Sequence, residues 1–257
     1  MLALCAVLGI AIPVALARWL IKKYQVKPRT ILIGAAVFIV FALGLESILH
    51  QVVLKGPNGP AIMGNVWYYA LYGGLAAGLF EETGRFLGMK FLMKKEPSSI
   101  LPGVGYGIGH GGVEMLFIFG LPMIANVVVS IMMNAGQTDL LLGNAPEEAK
   151  AQALSQFSQL GSLTAGALLL GFWERISALV LQLGLSLTVW TAVRKGGKWL
   201  WLFPAVILLH ALVDGVAVIL SKSVSMVSVE LVITALAVAI GTMGWTLAKK
   251  LSPQPSH

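Results

Sequence analysis

The sequence predicts an all-α, polytopic transmembrane helix bundle. Of its 257 residues, 57% are hydrophobic and 11% are charged, and the mean hydropathy is +0.84. A soluble domain is about a quarter charged, so this chain lacks the polar residues needed to cover a water-exposed surface. Its apolar runs are continuous rather than alternating, which indicates helices and not an outer-membrane β-barrel. These observations exclude an ordinary soluble enzyme, a disordered chain and a nucleic-acid-binding module.

Seven apolar segments are long enough to cross roughly 30 Å of hydrocarbon, and they form a single membrane domain over residues 1–251. The segments are about 2–21, 30–54, 64–93, 99–133, 162–193, 199–221 and 224–248. The fourth exceeds one simple span, and Gly120-Leu121-Pro122 is expected to bend or break it, which could give an eighth span. The first is expected to be retained, because no basic leader or small-residue cleavage site accompanies it. Residues 252–257 are expected to form a short cytoplasmic tail.

The lysines and arginines between the segments predict the orientation. Thirteen of the eighteen lie at one set of segment ends and three lie at the opposite ends. The first set is Arg18, Lys22, Lys23, Lys27, Arg29, Lys90, Lys94, Lys95, Arg194, Lys195, Lys198, Lys249 and Lys250, and the second is Lys55, Lys150 and Lys222. The positive-inside rule therefore places the N-terminus outside and the C-terminus in the cytoplasm.

The longest polar stretch, about 134–161, then lies on the outside. Asn144 followed by Ala-Pro-Glu-Glu predicts a helix start with a cap, a proline and acids in the first turn. Leu154, Phe157, Ser158 and Leu160 predict an amphipathic helix resting on the membrane. This helix is interpreted as a connector, with a substrate lid as the alternative.

Ionisable residues inside the apolar segments are the strongest functional signal. Each costs on the order of 3 kcal/mol or more at mid-bilayer unless it is paired or hydrated. The residues singled out are Glu46, Glu81, Glu82, Glu114, Glu174, Asp214, His50, His110 and His210, together with Arg85 and Arg175. Because these side chains would be heavily destabilising against lipid, they are expected to converge on an interior polar site.

Three pairs of these residues have helical i, i+4 spacing. The pairs are Glu46 with His50, His110 with Glu114, and His210 with Asp214. Residues at this spacing share a helix face, so each pair is expected to hydrogen-bond within its own helix. A carboxylate beside a histidine fixes the tautomer and raises the basicity, which suits a general base or a metal ligand. Glycines cluster around His110, which favours close helix packing or the approach of a substrate backbone.

The run Glu81-Glu82-Thr83-Gly84-Arg85 is the second focus. At about 100° per residue, Arg85 lies angularly between the two glutamates and could pair with one or both. Its guanidinium would neutralise one carboxylate and leave the other free to accept a proton from water. The alternative for this run is an intramembrane ion pair that only holds helices together. The pair Glu46–His50 is also interpreted as a structural contact.

Four motifs resemble those of the glutamic-type intramembrane proteases. They are Glu-Glu-x-x-Arg at 81–85, Tyr106-x-x-x-His110, His110-x-x-x-Glu114 and His210-x-x-x-Asp214. This superfamily includes the type II CAAX prenyl endopeptidases, the bacteriocin-immunity-associated CPBP proteins and the PrsW proteases. Within it, the chain most resembles the YhfC family of intramembrane metalloproteases, over residues 64–221. Trp173-Glu174-Arg175 is also similar to that family.

The resemblance implies an intramembrane endopeptidase in a bacterial plasma membrane, acting on a membrane-embedded or membrane-adjacent peptide or protein. By motif, Glu81 resembles the water-activating base, and Glu82 with Arg85 resembles its supporting pair. His110 resembles the residue that orients the water, and the His210–Asp214 motif resembles the pair that polarises the scissile carbonyl.

Three departures from the related sequences qualify these roles. The first motif is one residue shorter than in the CAAX enzymes, as in the PrsW type. Asp214 stands where those enzymes favour asparagine, and an anionic carboxylate is a poor donor to an oxyanion. Stabilisation of the oxyanion is therefore assigned to His210, and Asp214 is expected to orient the His210 ring. Gln182 stands near a position where related sequences often carry histidine.

Two mechanisms and two other function classes remain open. In the favoured mechanism no cofactor is required and Glu81 deprotonates water. In the other, His110, His210 and a carboxylate, Glu81 or Glu114, bind Zn²⁺. The chain has no His-Glu-x-x-His motif, and its single cysteine excludes a Cys-rich zinc site.

The other function classes are a proton- or cation-coupled transporter and a catalytically inactive binding protein. The expected partners are the substrate and the lipid bilayer, with no nucleic acid.

Overall fold

The computed structural model describes residues 1–143 and 146–251, and these ranges are all-α. Within them ten helices follow one another: α1 Leu2–Tyr24, α2 Pro28–Leu54, α3 Gly59–Gly64, α4 Val66–Leu87, α5 Ile100–Asn134, α6 Thr138–Leu142, α7 Glu147–Gly161, α8 Ala165–Lys195, α9 Gly197–Leu220 and α10 Met226–Ala248. Every predicted apolar segment contains one long helix, so the all-α prediction is confirmed. The predicted tail, 252–257, lies outside the described residues.

Six of the helices in these ranges are long and apolar enough to cross a membrane, namely α1, α2, α5, α8, α9 and α10. The protein is therefore an integral, multi-pass membrane protein, as predicted. Helix α4 has a similar length, 22 residues, but carries Glu81, Glu82 and Arg85, all of which are buried. The six helices together with α4 correspond to the seven predicted segments. The number of spans and the orientation stay predictions.

The fourth predicted segment does not break at Gly120-Leu121-Pro122. Helix α5 continues through this point as one helix of 35 residues, with a π-helical turn at Leu116–Gly120 just before Pro122. In a π turn each N–H donates to the carbonyl oxygen five residues earlier in the chain, instead of four. This shift changes the backbone pairing next to Pro122, which has no N–H. The expected break, and with it the eighth span, is absent from this helix.

Helix α8 lies at the centre of the bundle. In its most apolar 18-residue stretch, 72% is buried, whereas the corresponding value for the other five candidate spans is 17–28%. It packs mainly against α10 and α5, while α4 lies along α9 and α2 lies along α5. Helices α4, α5, α8 and α9, which carry the predicted site residues, therefore surround a common interior.

Glycines bring these helices together. A Cβ at Gly109 would lie 1.9 Å from the backbone oxygen of Ile31 in α2, and a Cβ at Gly111 would lie 2.9 Å from Leu179 Cδ1 in α8. The other glycines between residues 103 and 112 also abut side chains of neighbouring helices. The glycines around His110 therefore serve helix packing, and they leave no open surface for a substrate backbone.

The basic connections meet at one end of the bundle. Lys27 Nζ, which follows α1, is 3.0 Å from Glu96 Oε2 in the connection between α4 and α5. In the last turn of α8, Arg194 Nε donates to Ser98 Oγ of the same connection at 3.0 Å. The connections that the charge pattern assigns to the cytoplasm are thus in mutual contact.

Two helices, α6 and α7, occupy the predicted outer stretch. Helix α7 begins after Pro146 and carries Glu147 and Glu148 in its first turn, as predicted. Leu154 on this helix is exposed, as expected for an amphipathic helix. Its role as a connector stays a prediction. The predicted cap, Asn144, lies outside the described residues.

Replacing Gly74 by alanine is expected to destabilise the bundle. An added Cβ would lie 2.4 Å from the backbone oxygen of Ala211, at the contact between α4 and α9. A backbone atom cannot move away without shifting α9. We therefore expect the free energy of unfolding to fall by about 1–3 kcal/mol. The measurement is the midpoint of thermal denaturation in detergent, which should be lower than in the wild type. Gly73→Ala is the matched control, since nothing lies within 4 Å of its Cβ. Equal effects of the two substitutions would contradict the expectation.

Candidate functional site

Arg85 lies fully buried at the centre of a polar cluster. Its Nε is 2.9 Å from Glu82 Oε2, an ion-pair contact that is not aligned as a hydrogen bond, and its Nη2 is 3.9 Å from Glu81 Oε2. The guanidinium also donates to the carbonyl oxygen of Gln182 at 2.9 Å, to the Gln182 side-chain oxygen and to Ser186 Oγ. One guanidinium therefore contacts both carboxylates, as the spacing predicts, and joins α4 to α8.

Glu81 is held by two nitrogen atoms from other helices. Its Oε2 lies 2.9 Å from His110 Nε2 and accepts a hydrogen bond from Gln182 Nε2 at 3.0 Å. When His110 Nε2 donates to Glu81, the lone pair of the imidazole lies on Nδ1, which is buried without a hydrogen-bond partner in the described ranges. The ring of Phe38 meets the imidazole edge-on and Tyr106 stacks against it, which fixes the ring orientation.

His210 is oriented by Glu82. Its Nδ1 lies 2.8 Å from Glu82 Oε1, and its Nε2 lies 3.7 Å from Asp214 Oδ2. The second distance is too long for a hydrogen bond. Glu82 therefore bridges Arg85 and His210, and it makes the orienting contact that the motif assigns to Asp214.

The predicted pair His110–Glu114 does not form. His110 turns toward Glu81 on α4, whereas Glu114, one turn further along α5, has its Oε1 3.4 Å from Arg175 Nη1 on α8. Arg175 also pairs with Glu174. The i, i+4 spacing only makes a contact geometrically feasible, and here each residue has a charged partner on a neighbouring helix.

The predicted pair Glu46–His50 does form. His50 Nε2 is 3.2 Å from Glu46 Oε1, and its Nδ1 is 2.8 Å from the hydroxyl oxygen of Tyr72. Neither Glu46 nor His50 lines the cavity beside the cluster. The pair is therefore hydrogen-bonded, and its structural role stays a prediction.

The cluster opens into a cavity of about 300 Å³ between α4, α5, α8, α9 and α10. The polar residues that line it are Glu81, Glu114, Glu174, Arg175, Gln182, His210, Asp214 and Glu230. Four of the predicted site residues, Glu81, Glu114, His210 and Asp214, are therefore brought to one cavity. The other three, Glu82, Arg85 and His110, lie behind its wall and position those that face it.

Three residues of the site were not predicted as such. Gln182 was noted only as a departure from a motif, yet it contacts both Glu81 and Arg85. Glu230 is 4% exposed and lies in the last apolar segment, so a carboxylate within a span was the available signal. Ser186 had no such signal, because small hydroxyl residues are common at helix contacts in membranes.

The fold and the site define a multi-pass α-helical membrane protein with a charged cluster buried beside a polar cavity. A family model described as "YhfC intramembrane metalloprotease" matches residues 8–237, and the chain belongs to this family. It is 37% identical over 224 residues to the Bacillus subtilis (strain 168) protein named "Uncharacterized membrane protein YhfC", covering 87% of this chain and 85% of the relative. No solved structure matches the chain. The resemblance drawn from the motifs is confirmed, and the family description supports intramembrane proteolysis as the class of activity.

The family description also implies a metal ion, which requires a compatible set of ligands. In the part of the chain that the structure describes, no three His, Cys, Asp or Glu side chains form a group that could hold one. The predicted ligands, His110 and His210 with Glu81 or Glu114, do not belong to any such group. The arrangement of these side chains therefore does not fit a metal centre.

Proposed function

We propose that the protein is an intramembrane endopeptidase in which Glu81 activates water without a metal ion. The observation that carries this proposal is that Glu81 and His210 line the same cavity. Both hydrogen-bond contacts of the Glu81 carboxylate, to His110 and Gln182, fall on Oε2. The other oxygen is thus available to accept a proton from a water molecule in the cavity.

In the proposed reaction, Glu81 takes a proton from water while the water oxygen bonds to the carbonyl carbon of the scissile peptide. The carbonyl oxygen becomes an oxyanion, which accepts a hydrogen bond from Nε2–H of protonated His210. Glu82, 2.8 Å from Nδ1, supplies the countercharge of that imidazolium. The C–N bond breaks as Glu81 returns its proton to the leaving nitrogen. Asp214 faces the same cavity and would bind the substrate backbone or the leaving amine.

The test compares the N-termini of membrane proteins by mass spectrometry in cells that contain the wild-type protein or Glu81→Gln at matched abundance. New termini that depend on the wild type would support the protease and identify its substrates. Identical termini would contradict it, and proton flux into liposomes that differs between the two proteins would then favour a transporter.

Cleavage is expected to be independent of a bound metal ion. Arg85 already supplies a positive charge where the carboxylates of Glu81 and Glu82 converge, so no second cation is needed to hold them together. Elemental analysis of the purified protein should find less than a stoichiometric amount of metal, and a chelator should leave the rate of cleavage unchanged. Stoichiometric zinc, with activity lost to the chelator and restored by Zn²⁺, would contradict the expectation.

A further inference from the structure

Part of the cavity carries charges that the proposed mechanism does not use. We call these residues the distal cluster, which consists of Glu114, Glu174, Arg175 and Glu230. We propose that the distal cluster binds a lysine or arginine side chain of the substrate and so selects the peptide that is cut. The inference rests on the proposed function and names the substrate class of that same site.

The position of the cluster follows from the helices that carry it. Glu174 precedes Gln182 by eight residues on α8, which is about 12 Å along the helix axis at 1.5 Å per residue. It therefore lies about two turns from Glu81, on the side away from the basic end of α8 at Arg194. An extended peptide advances about 3.3 Å per residue, so a residue about two to four positions from the scissile bond would reach the cluster.

The charges of the cluster are not balanced. Arg175 is shared by Glu114, at 3.4 Å, and by Glu174. Glu230 is 4% exposed, and among the described residues its Oε2 has no hydrogen-bond partner and its carboxylate has no ion-pair partner. Glu114 Oε2 is likewise buried without a hydrogen-bond partner. Buried carboxylate oxygens in this state are destabilising unless a ligand or water in the cavity donates to them.

A basic side chain has the chemistry that these oxygens lack. An ammonium or guanidinium group supplies both a positive charge and N–H donors. The cavity walls also include Ile118, one helical turn from Glu114, and Val229, next to Glu230. The methylene stem of a lysine or arginine can pack against them. An acidic side chain would be repelled, and an apolar one would leave the carboxylates without donors.

The test uses the full-length protein in lipid nanodiscs and peptides built on cleavage sites mapped in cells. Each peptide carries Lys, Gln or Glu at one position, two to four residues from the scissile bond. The N-terminal and the C-terminal sides of the bond are tested in separate peptides. The wild type is expected to cleave the best Lys peptide at least about tenfold more efficiently, by kcat/KM, than its Gln counterpart. Glu230→Gln is expected to reduce this ratio to about threefold or less, whereas Glu148→Gln, on exposed α7, should leave it unchanged.

The outcomes separate this proposal from the one on which it rests. If the wild type cleaves Lys and Gln peptides equally well, the distal cluster holds only water and the proposal is wrong, while the protease assignment stands. A Lys preference that survives Glu230→Gln also overturns it. If Glu230→Gln lowers the thermal denaturation midpoint, the ratio of kcat/KM for the Lys and Gln peptides is measured instead with Glu174→Gln, at a more exposed position. A Lys preference that survives that substitution overturns the proposal. No cleavage of any peptide by the wild type, and no wild-type-dependent termini in cells, overturns both.

Discussion

Replacing Glu81 by glutamine is expected to lower the rate of peptide-bond cleavage by about 10²–10⁴-fold, the usual contribution of a positioned general base. The substitution is isosteric, and a glutamine oxygen can still accept the hydrogen bond that Gln182 Nε2 donates to Glu81. What is lost is the group that takes the proton of water. The measurement is kcat on a mapped substrate peptide in nanodiscs, together with the thermal denaturation midpoint, which should change little.

Glu96→Gln is the control for this experiment. Glu96 is also a buried glutamate, at 5% exposed, but it pairs with Lys27 in the connections at the end of the bundle and does not line the cavity. Its substitution should leave kcat within about twofold of the wild type, since it touches no part of the site. If Glu81→Gln retains a comparable rate, Glu81 is not the base.

Replacing Arg85 by methionine is expected to destabilise the protein by about 3–5 kcal/mol, the cost of removing one partner of a buried ion pair. Arg85 is 0% exposed, and its loss leaves Glu82 buried with only His210 as a charged partner. Arg85→Lys should recover little of this stability, because one ammonium cannot contact Glu82 and Gln182 with the fork of donors that a guanidinium has. The measurement is the free energy of unfolding in mixed detergent micelles.

Two variants make the Arg85 result specific. Arg18→Met, at an exposed arginine of α1, should cost less than about 0.5 kcal/mol. Adding Glu82→Gln to Arg85→Met should restore part of the lost stability, because the amide carries no charge that needs compensation. If the double variant is no more stable than Arg85→Met alone, the ion pair is not the source of the effect.

The local features of the site could be predicted from single helices. The contact of Arg85 with both Glu81 and Glu82 follows from helical spacing, and so does the pair Glu46–His50. The same rule fails for His110 and Glu114, which find partners on α4 and α8 instead. Spacing along one helix defines which contacts are geometrically feasible, but it contains no information about the charges on the helices that pack against it.

The sequence by itself determined that this is a multi-pass α-helical membrane protein, and which segments form its long helices. These properties follow from the balance of apolar and charged residues and from the need to satisfy every backbone hydrogen bond within a bilayer. Only the tertiary structure decided that Glu82 orients His210 across α4 and α9, that Gln182 holds Glu81, and that Glu230 faces the same cavity. These contacts join residues far apart in the chain, and glycine positions such as Gly74 set how closely their helices approach.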